Sequence, residues 1–391
     1  MIRSTDSKQA GTTLNSIYSP RTPRGGGQRT PRKTSRENLL NTKRAKTPEL
    51  LFDKADIFAC DISDDVVVFG NEMGMIEVFQ KDTLERTKTL NYAPSRGENV
   101  MTVKFINGNR LISGDTLGNV VMYNTEYENL IKSTDARDNN TVSPICVLDK
   151  DDSVSINSKS QVSVNCLDFN RTNTICGVFS DKSIRLYDSN TSVLMNTVKQ
   201  SVDIGDGTIS HLSGHTRQPH CCKFLDEEMF VTAGWDDCLK IWDRRAPQSA
   251  VLSINGVHVC GPSIDVRPGS DNKVLAVGSW RAENGLQLWD LRKAGDNSEI
   301  NDTNGASKSF KLTKRKELDH NGDYIYATKF LDKNTLLAGG SGSAKVLAVD
   351  VDSGEIVDKI GFGGKTIQSI AVGRDDIVIG GVKGAVKVIP R

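Results

Sequence analysis

The sequence predicts an all-β fold: a seven-bladed β-propeller of four-stranded antiparallel sheets, preceded by a disordered N-terminal tail. Three observations predict it. Seven similar units recur from about residue 50 onward, their spacing fits the roughly 40 to 45 residues of a propeller blade with insertions, and long helical stretches are few. A chain of 391 residues is long enough to close such a ring of sheets as one unit.

Each unit joins a β-rich run, a turn of small residues and an alternating run with an aromatic or aliphatic anchor. In chain order the units are "VVVFGNEMGMIEVFQ", "RLISGDTLGNVVMYN", "TICGVFSDKSIRLYD", "MFVTAGWDDCLKIWD", "VLAVGSWRAENGLQLWD", "TLLAGGSGSAKVLAVD" and "DIVIGGVKGAVKVIP". The anchors are Phe79, Tyr123, Tyr187, Trp242, Trp289, Val349 and Ile389, spaced 44, 64, 55, 47, 60 and 40 residues apart.

The two remaining strands of each blade flank its unit. An inner strand precedes the unit in runs such as "MTVKFI", and the fifth unit has "GPSIDVRPG" in that place. An outer strand follows the anchor in runs such as "TLERTKTL". The region 124–163 contains "PICVLDKDDSVSI", which we interpret as an inserted loop with a strand extension; a degenerate eighth blade is the alternative.

Closure of the ring is predicted from the two ends of the propeller. The seventh unit finishes with "GAVKVIPR", which leaves its sheet without an outermost strand. The run "PELLFDK" at residues 48–54 precedes the first inner strand and has no other partner. We therefore expect residues 48–54 to complete the seventh blade, which would remove an exposed sheet edge. The predicted domains are a tail over residues 1–46 and a propeller over residues 47–391.

The tail differs in composition from the rest of the chain. Residues 1–50 carry 11 Lys and Arg against 3 Asp and Glu, whereas the remainder carries 39 against 46. Residues 1–46 contain one tyrosine, no phenylalanine and no tryptophan. Such a segment cannot bury enough apolar surface to offset its conformational entropy, so disorder is expected.

Phosphorylation of this tail is a second expectation. Four Ser/Thr-Pro steps and one "RKTS" run resemble kinase sites, which makes the candidate acceptors Ser19, Thr22, Thr30, Ser35 and Thr47. Each phosphate would add about −1.5 to −2 charge and would offset the basic surplus. The functional interpretation is a charge switch on binding to an acidic partner such as nucleic acid, a tubulin surface or anionic lipid. The alternative is a solvated linker with chance dipeptides.

The units resemble WD repeats, and the fourth carries the most complete pattern. "SGHTRQPHCCKFLDEEMFVTAGWDDCLKIWD" contains Gly-His at 214–215, a "TAGWD" turn and Trp-Asp at 242–243. In that family the matching His, Ser/Thr, Asp and Trp form a buried hydrogen-bonded set. The resemblance therefore implies a structural set of His215, Thr232, Asp236 and Trp242. It covers roughly residues 48–391, although only the fourth and fifth units have Trp-Asp.

Enzymatic chemistry is not indicated. The sequence has no P-loop, nucleophile elbow or zinc-protease helix, so we expect no catalytic residues, no cofactor, no metal and no small-molecule substrate. "HTRQPHCC" at 215–222 contains adjacent cysteines, which in a strand point to opposite faces and cannot easily share one ion. No apolar run is long enough to span a membrane, and no secretory leader is recognised, so the expected location is intracellular, cytoplasmic or nuclear.

Two consecutive units end in Trp-Asp-x-Arg, as "WDRR" at 242–245 and "WDLR" at 289–292. This arrangement resembles the substrate receptors of cullin–RING ubiquitin ligases, in which such arginines help to dock the propeller on its adaptor. The matching residues are Arg244, Arg245 and Arg292. The alternative is that Asp-x-Arg forms a local ion pair that braces the end of the strand.

Tryptophan occurs only four times, and two of the four lie in turns. Trp235 lies in the turn between the second and third strands of the fourth blade, and Trp280 followed by Arg281 lies in the matching turn of the fifth. Exposed Trp and Arg are enriched in binding hot spots, so these three residues form the predicted protein-binding site. The alternative is that each indole caps its own blade.

The function that these observations predict is a non-enzymatic scaffold in a multiprotein complex, which binds a protein or peptide on the top face and is regulated through its tail. A ubiquitin-ligase substrate receptor is one alternative. A tail-mediated binder of the cytoskeleton or of nucleic acid is the other. Fold alone does not choose among them.

Overall fold

The computed structural model describes residues 42–50, 54–90, 98–106, 110–124, 146–149, 162–199, 213–271, 273–291 and 314–391. The predicted tail over residues 1–46 therefore lies almost wholly outside the described residues. A short 3-10 turn at Thr42–Arg44 is the first described element. Among the described residues there is no helix with the length and apolar character that crossing a membrane requires.

Twenty-seven strands in the described ranges form seven antiparallel sheets, in each of which consecutive strands pair. In blades 1 to 3 the strands are β1 Ile57–Ile62, β2 Val66–Asn71, β3 Ile76–Gln80, β4 Arg86–Leu90; β5 Val100–Ile106, β6 Arg110–Asp115, β7 Val120–Asn124, β8 Cys146–Asp149; and β9 Val164–Phe169, β10 Thr174–Phe179, β11 Ile184–Asp188, β12 Val193–Val198. The strand extension expected within 124–163 is β8, the outer strand of blade 2, and the blade count is seven.

Blades 4 to 7 repeat the plan, with the last sheet one strand short. Their strands are β13 Pro219–Phe224, β14 Met229–Gly234, β15 Cys238–Asp243, β16 Leu252–Asn255; β17 Ile264–Val266, β18 Val274–Gly278, β19 Leu286–Asp290, β20 Lys314–Glu317; β21 Tyr324–Phe330, β22 Thr335–Ser341, β23 Lys345–Asp350, β24 Ile356–Gly361; and β25 Ile367–Val372, β26 Asp376–Gly381, β27 Val386–Pro390. The predicted seven-bladed propeller of antiparallel sheets is confirmed.

Burial explains the apolar runs along the middle strands. β2 and β10 are buried at every position because each sheet is covered on both faces by neighbouring blades. A strand covered on both faces is apolar throughout instead of alternating. The outer strand β4, "RTKTL", is partly exposed and mostly polar, as expected for a sheet edge that must not pair with other chains.

The ring closes through contact between blade 7 and blade 1. A Cβ on Gly380 of β26 would lie 2.7 Å from Ile57 Cγ2 of β1, closer than real side chains approach. Gly70 has the same position in blade 1, and a Cβ there would lie 2.6 Å from Val100 Cγ1 of blade 2. Glycine at this position therefore lets the first residue of the next inner strand pack directly on the backbone.

The segment before blade 1 meets the last sheet at Lys46, which forms an isolated antiparallel bridge with Val388 of β27. Lys46 N–H donates to the Val388 carbonyl at 2.8 Å, and Val388 N–H donates back at 2.9 Å. The pairing was expected from residues 48–54. Residues 47–50 form no strand, and residues 51–53 lie outside the described residues, so closure by 48–54 stays a prediction, whereas the pairing at Lys46 is observed.

Replacing Lys46 by proline is expected to lower the free energy of unfolding by about 1 kcal/mol, because proline removes the N–H that donates to blade 7. Lys46→Ala keeps that N–H and serves as the control. Urea unfolding of both variants measures the effect. Equal midpoints for the two variants would show that the pairing of the chain ends does not stabilise the ring.

Candidate protein-binding surface

The four residues of the predicted structural set lie together in blade 4. Trp242 Nε1 donates to Thr232 Oγ1 at 2.8 Å, and His215 Nε2 lies 2.6 Å from the same hydroxyl. His215 Nδ1 lies 2.8 Å from Asp236 Oδ2. The bonds form a consistent chain if Trp242 donates to Thr232, Thr232 to His215 Nε2, and His215 Nδ1–H to Asp236. His215, Thr232 and Trp242 are fully buried.

Electrostatics keep Asp236 ionised in this set. Desolvation opposes ionisation, but the hydrogen bonds from His215 and from the backbone N–H of Thr216 lower the pKa of Asp236. Thr216 N–H donates to Asp236 Oδ2 at 3.0 Å. Since the imidazole of His215 is enclosed between a carboxylate and a hydroxyl, it is committed to holding the turn after β14.

Trp235 and Trp280 occupy the same position in the turns of adjacent blades, β14–β15 and β18–β19. We call the end of the ring that carries these second-to-third-strand turns the top face. Trp235 is 42% exposed and Trp280 is 44% exposed. Each indole is therefore about half buried and leaves the rest of its surface to solvent.

Further rings extend this surface into an aromatic ledge, which we define as Trp235, Trp280 and Tyr324 with the imidazoles of His220 and His258. His220 lies on Trp235 with ring centroids 4.7 Å apart, and His258 lies 6.2 Å from Trp280. Tyr324, at the start of β21 in blade 6, lies 5.6 Å from Trp280 and is 37% exposed. The ledge thus spans blades 4, 5 and 6.

The two indole N–H groups differ. Trp235 Nε1 donates to Cys260 Sγ at 3.1 Å, in the loop between β16 and β17. The Trp280 indole N–H makes no hydrogen bond within the ranges that the structure describes. Burial lowers the pKa of His220 to about 4, so its ring is neutral at physiological pH and stacks on Trp235 as an uncharged group. The Trp235 indole is thus tied to the β16–β17 loop by a hydrogen bond, for which Trp280 has no counterpart among the described residues.

Asp237 brings a negative charge to the ledge and contacts His258 and Arg281 there. Its Oδ1 lies 2.6 Å from His258 Nδ1, and its Oδ2 lies 3.0 Å from Arg281 Nη2. Desolvation acts in the opposite direction, but the His258 hydrogen bond and the Arg281 charge lower the pKa of Asp237. Arg281, predicted from sequence as a binding residue, is therefore joined to the turn of the neighbouring blade. Neither Asp237 nor Tyr324 was predicted.

The axis of the ring holds a second polar feature, which sequence reasoning missed. At one position of each inner strand, blades 1 to 6 carry alternating charges: Asp61, Lys104, Asp168, Lys223, Asp265 and Lys329. We call these six residues the axial ring. All of them except Asp265 line a cavity of about 90 Å³ to which all seven inner strands contribute. Blade 7 has Ala371 at this position, because seven positions cannot alternate two signs around a closed ring.

Ion pairs and backbone bonds connect the axial ring. Asp168 Oδ1 lies 2.9 Å from Lys104 Nζ and 3.5 Å from Lys223 Nζ, while Asp265 Oδ1 lies 3.7 Å from Lys223 Nζ and 3.1 Å from Lys329 Nζ. Each aspartate also accepts the N–H of a phenylalanine in the next blade: Asp61 from Phe105, Asp168 from Phe224 and Asp265 from Phe330, at 2.7 to 2.9 Å. The axial ring therefore joins neighbouring blades.

Comparison with known proteins agrees with this geometry. The family model of the WD domain, G-beta repeat, matches residues 207–243, which include His215, Thr232, Asp236 and Trp242. The chain is a seven-bladed β-propeller whose fourth blade carries a WD repeat.

A relative that is similar to part of this chain is the ribosome biogenesis protein WDR12 homolog of Drosophila mojavensis. The two are 32% identical over 108 residues, which is 24% of this chain and 25% of the relative. The alignment thus covers a quarter of that protein's length. WD-repeat propellers act broadly as protein-interaction scaffolds, which agrees with the predicted class of function.

Arg244 and Arg245, which are proposed for adaptor docking, directly follow β15 and lie away from the ledge. Arg245 pairs with Asp243 through two nitrogens, at 2.9 and 2.5 Å, which is the local Asp-x-Arg ion pair given above as the alternative. Arg244 Nε donates to the Glu227 carbonyl at 2.7 Å. Arg292 lies outside the described residues. The described arginines are thus engaged within blade 4, and docking through them stays a prediction.

Of the phosphorylation candidates, Ser19, Thr22, Thr30 and Ser35 lie outside the described residues. Thr47 is exposed beside the Lys46 bridge. Nothing in the structure tests modification at these positions, so phosphorylation of the tail stays a prediction.

Four cysteines of blades 3 and 4 have a structural role as packed side chains. Cys166, Cys176, Cys221 and Cys222 are buried between blades 3 and 4, and burial raises the pKa of the Cys222 thiol well above its ordinary value. No group of three or more His, Cys, Asp and Glu side chains in the described ranges is arranged to hold a metal ion. The thiols pack as small apolar groups.

Proposed function

We propose that the propeller is a non-enzymatic scaffold that binds a partner protein on its top face, through Trp235 and Trp280. The observation that carries the proposal is the pair of half-exposed indoles at the same turn position of adjacent blades, extended by Tyr324. Large aromatic side chains that are already partly packed lose little conformational freedom on binding and contribute strongly to interfaces.

The chemistry of the described polar groups supports a binding role over a catalytic one. His215 is enclosed by Thr232 and Asp236, and Asp168 is held between two lysines. These groups have the residue types of acid–base catalysts, but their bonds hold blades and turns together. Asp237 and Arg281 neutralise each other at the surface.

A double variant, Trp235→Ala with Trp280→Ala, is expected to fold normally and to lose its partner. Removing both indoles should weaken partner binding at least about thirtyfold, since a single central tryptophan of an interface contributes about 2 kcal/mol or more. The variant should still fold, with an unfolding free energy lower by about 1 to 2 kcal/mol for each indole, because only about half of each side chain is buried. Affinity capture with quantitative mass spectrometry, together with thermal unfolding, measures the two effects.

The matched control is Leu194→Ala with Met195→Ala on β12, since these side chains are 44% and 46% exposed at a sheet edge far from the ledge. The control should retain every partner. A double tryptophan variant that keeps its partners, or that no longer folds, would contradict the proposal and would assign the indoles to packing.

A second candidate is participation in ribosome biogenesis, which the name of the Drosophila relative supports. The same capture experiment tests it. Proteins of ribosomal precursor particles should be recovered with the unaltered chain and lost from the double tryptophan variant. Two further proposals are ubiquitin-ligase docking through Arg244, Arg245 and Arg292, and regulation by phosphorylation of the tail. The proteins and phosphopeptides identified by mass spectrometry in the same capture experiment test both.

A further inference from the structure

Asp237 presents a fixed negative charge at the edge of the aromatic ledge. Its backbone has φ of 60°, a left-handed conformation that turns the chain between β14 and β15. Its side chain is 47% exposed, yet His258 holds one carboxylate oxygen at 2.6 Å. The lowered pKa of Asp237 keeps the carboxylate ionised at physiological pH. The acceptor is therefore oriented before any partner arrives.

The counter-ion of Asp237 is held less firmly. Arg281 comes from the turn of the next blade, is 42% exposed, and makes one ion pair, to Asp237 at 3.0 Å, among the contacts of the described residues. Exposed pairs of this kind are easily exchanged with solvent or with another cation. Arg281 can leave without disturbing the His258–Asp237 bond.

We propose that Asp237, Trp280 and Tyr324 together receive a basic side chain, arginine or lysine, of the partner protein, and that Arg281 occupies this place in the free propeller. The inference rests on the proposed function and names the chemistry of its partner. The ring faces of Trp280 and Tyr324, inclined at 46°, remain partly open to solvent. Aromatic faces attract cations, and a carboxylate beside them adds a directed ion pair.

An acidic side chain fits this place poorly. It could reach the exposed part of Arg281 only by lying close to the Asp237 carboxylate, which His258 holds in place. Like charges at such distances repel. The exchange of one cation for another leaves the charge of the site unchanged, so binding of a basic side chain does not require a buried unpaired charge.

The test uses the full chain labelled with 5-fluorotryptophan, whose four tryptophans give four fluorine resonances. N-acetyl-arginine amide, N-acetyl-lysine amide and N-acetyl-glutamate amide are titrated at constant ionic strength. The basic amides should shift the Trp280 resonance, whereas that of the buried Trp242 stays fixed. Arg281→Gln should bind the arginine probe about two- to fivefold more tightly, the range of one exposed ion pair. Asp237→Asn should lose the response.

The matched controls are Arg267→Gln and Asp352→Asn, an ion pair of the same 3.0 Å separation at the other end of the blades, which should leave the response unchanged. Equal or weaker binding by Arg281→Gln, a response retained in Asp237→Asn, or an equal response to the glutamate probe would overturn the inference. A Trp280 resonance that moves with protein concentration alone would assign the surface to a second copy and would also overturn it.

Failure of this inference and failure of the proposed function are distinguishable. If the double tryptophan variant loses its captured partner while Asp237→Asn keeps it, the ledge binds a partner but not through a basic side chain. If the double tryptophan variant keeps the partner, the proposed function fails whatever the amide probes show.

Discussion

Replacing Asp168 by leucine is expected to lower the free energy of unfolding by about 3 kcal/mol. The carboxylate is almost fully buried, faces the ammonium groups of Lys104 and Lys223, and accepts the N–H of Phe224 at 2.7 Å. Leucine would leave two lysines without their shared counter-ion and one buried backbone donor without an acceptor. The expected loss lies at the lower end for broken buried pairs because both lysines keep some contact with water. Urea unfolding at neutral pH measures it.

Two further variants separate charge from hydrogen bonding. Asp168→Asn keeps an acceptor for Phe224 N–H but removes the charge, so its loss should be smaller than that of Asp168→Leu. Asp352→Leu removes an exposed aspartate paired with Arg267 and should cost less than about 1 kcal/mol. Equal stability of Asp168→Leu and Asp352→Leu would mean that the axial ring does not hold the blades together.

The pH dependence of the same variant follows from the titration of Asp168. Desolvation opposes its ionisation, but the charges of Lys104 and Lys223 and the Phe224 N–H outweigh it and hold the pKa of Asp168 well below its usual range. A carboxyl with a lower pKa in the folded state stabilises the fold above its unfolded value of about 4, and this contribution is lost as the pH falls toward the folded value. The stability difference between the unaltered chain and Asp168→Leu should therefore narrow below about pH 4.

The architecture could be predicted from the sequence because each blade repeats the same physical solution. Middle strands covered on both faces require apolar runs such as "VVVFGN", and the turn after them requires small residues. These constraints recur in every blade, so the repeat is recognisable even in the units that lack Trp-Asp. The segment that pairs with the last sheet was harder to predict. The observed bridge at Lys46 is formed by the backbone and requires no particular side chain. The apolar run "PELLFDK" therefore stood out in the sequence, although the observed pairing lies just before it.

The candidate site was predicted in part, and the reason is geometric. Trp235 and Trp280 share a position within the repeat, so aligning two units was enough to bring them together. Tyr324 and Asp237 occupy different positions in their blades and meet Trp280 and Arg281 only through the angle between blades. The axial ring was detectable in principle, since "ACDI", "TVKF", "CLDF", "CCKF", "SIDV" and "ATKF" alternate Asp and Lys at one register. Finding it requires comparing charges between units instead of within them.

Thr232→Val is expected to cost about 2 to 4 kcal/mol of unfolding free energy, although valine has nearly the shape of threonine. The hydroxyl accepts from Trp242 Nε1 at 2.8 Å and lies 2.6 Å from His215 Nε2. Without it both groups remain buried and lack a partner, and each such group costs about 1 to 3 kcal/mol. Chemical denaturation followed by fluorescence measures the loss.

Thr232→Ser decides between bonding and packing as the reason for this loss. Serine keeps the hydroxyl and removes one methyl group, which costs about 1 kcal/mol. If the chain from Trp242 to Asp236 stabilises blade 4, the valine variant must be less stable than the serine variant. If instead the residue only fills space, the order reverses, because valine conserves volume and serine does not. The sign of the difference between two single-residue variants therefore tests whether the hydrogen-bonded set that identifies the repeat also holds it together.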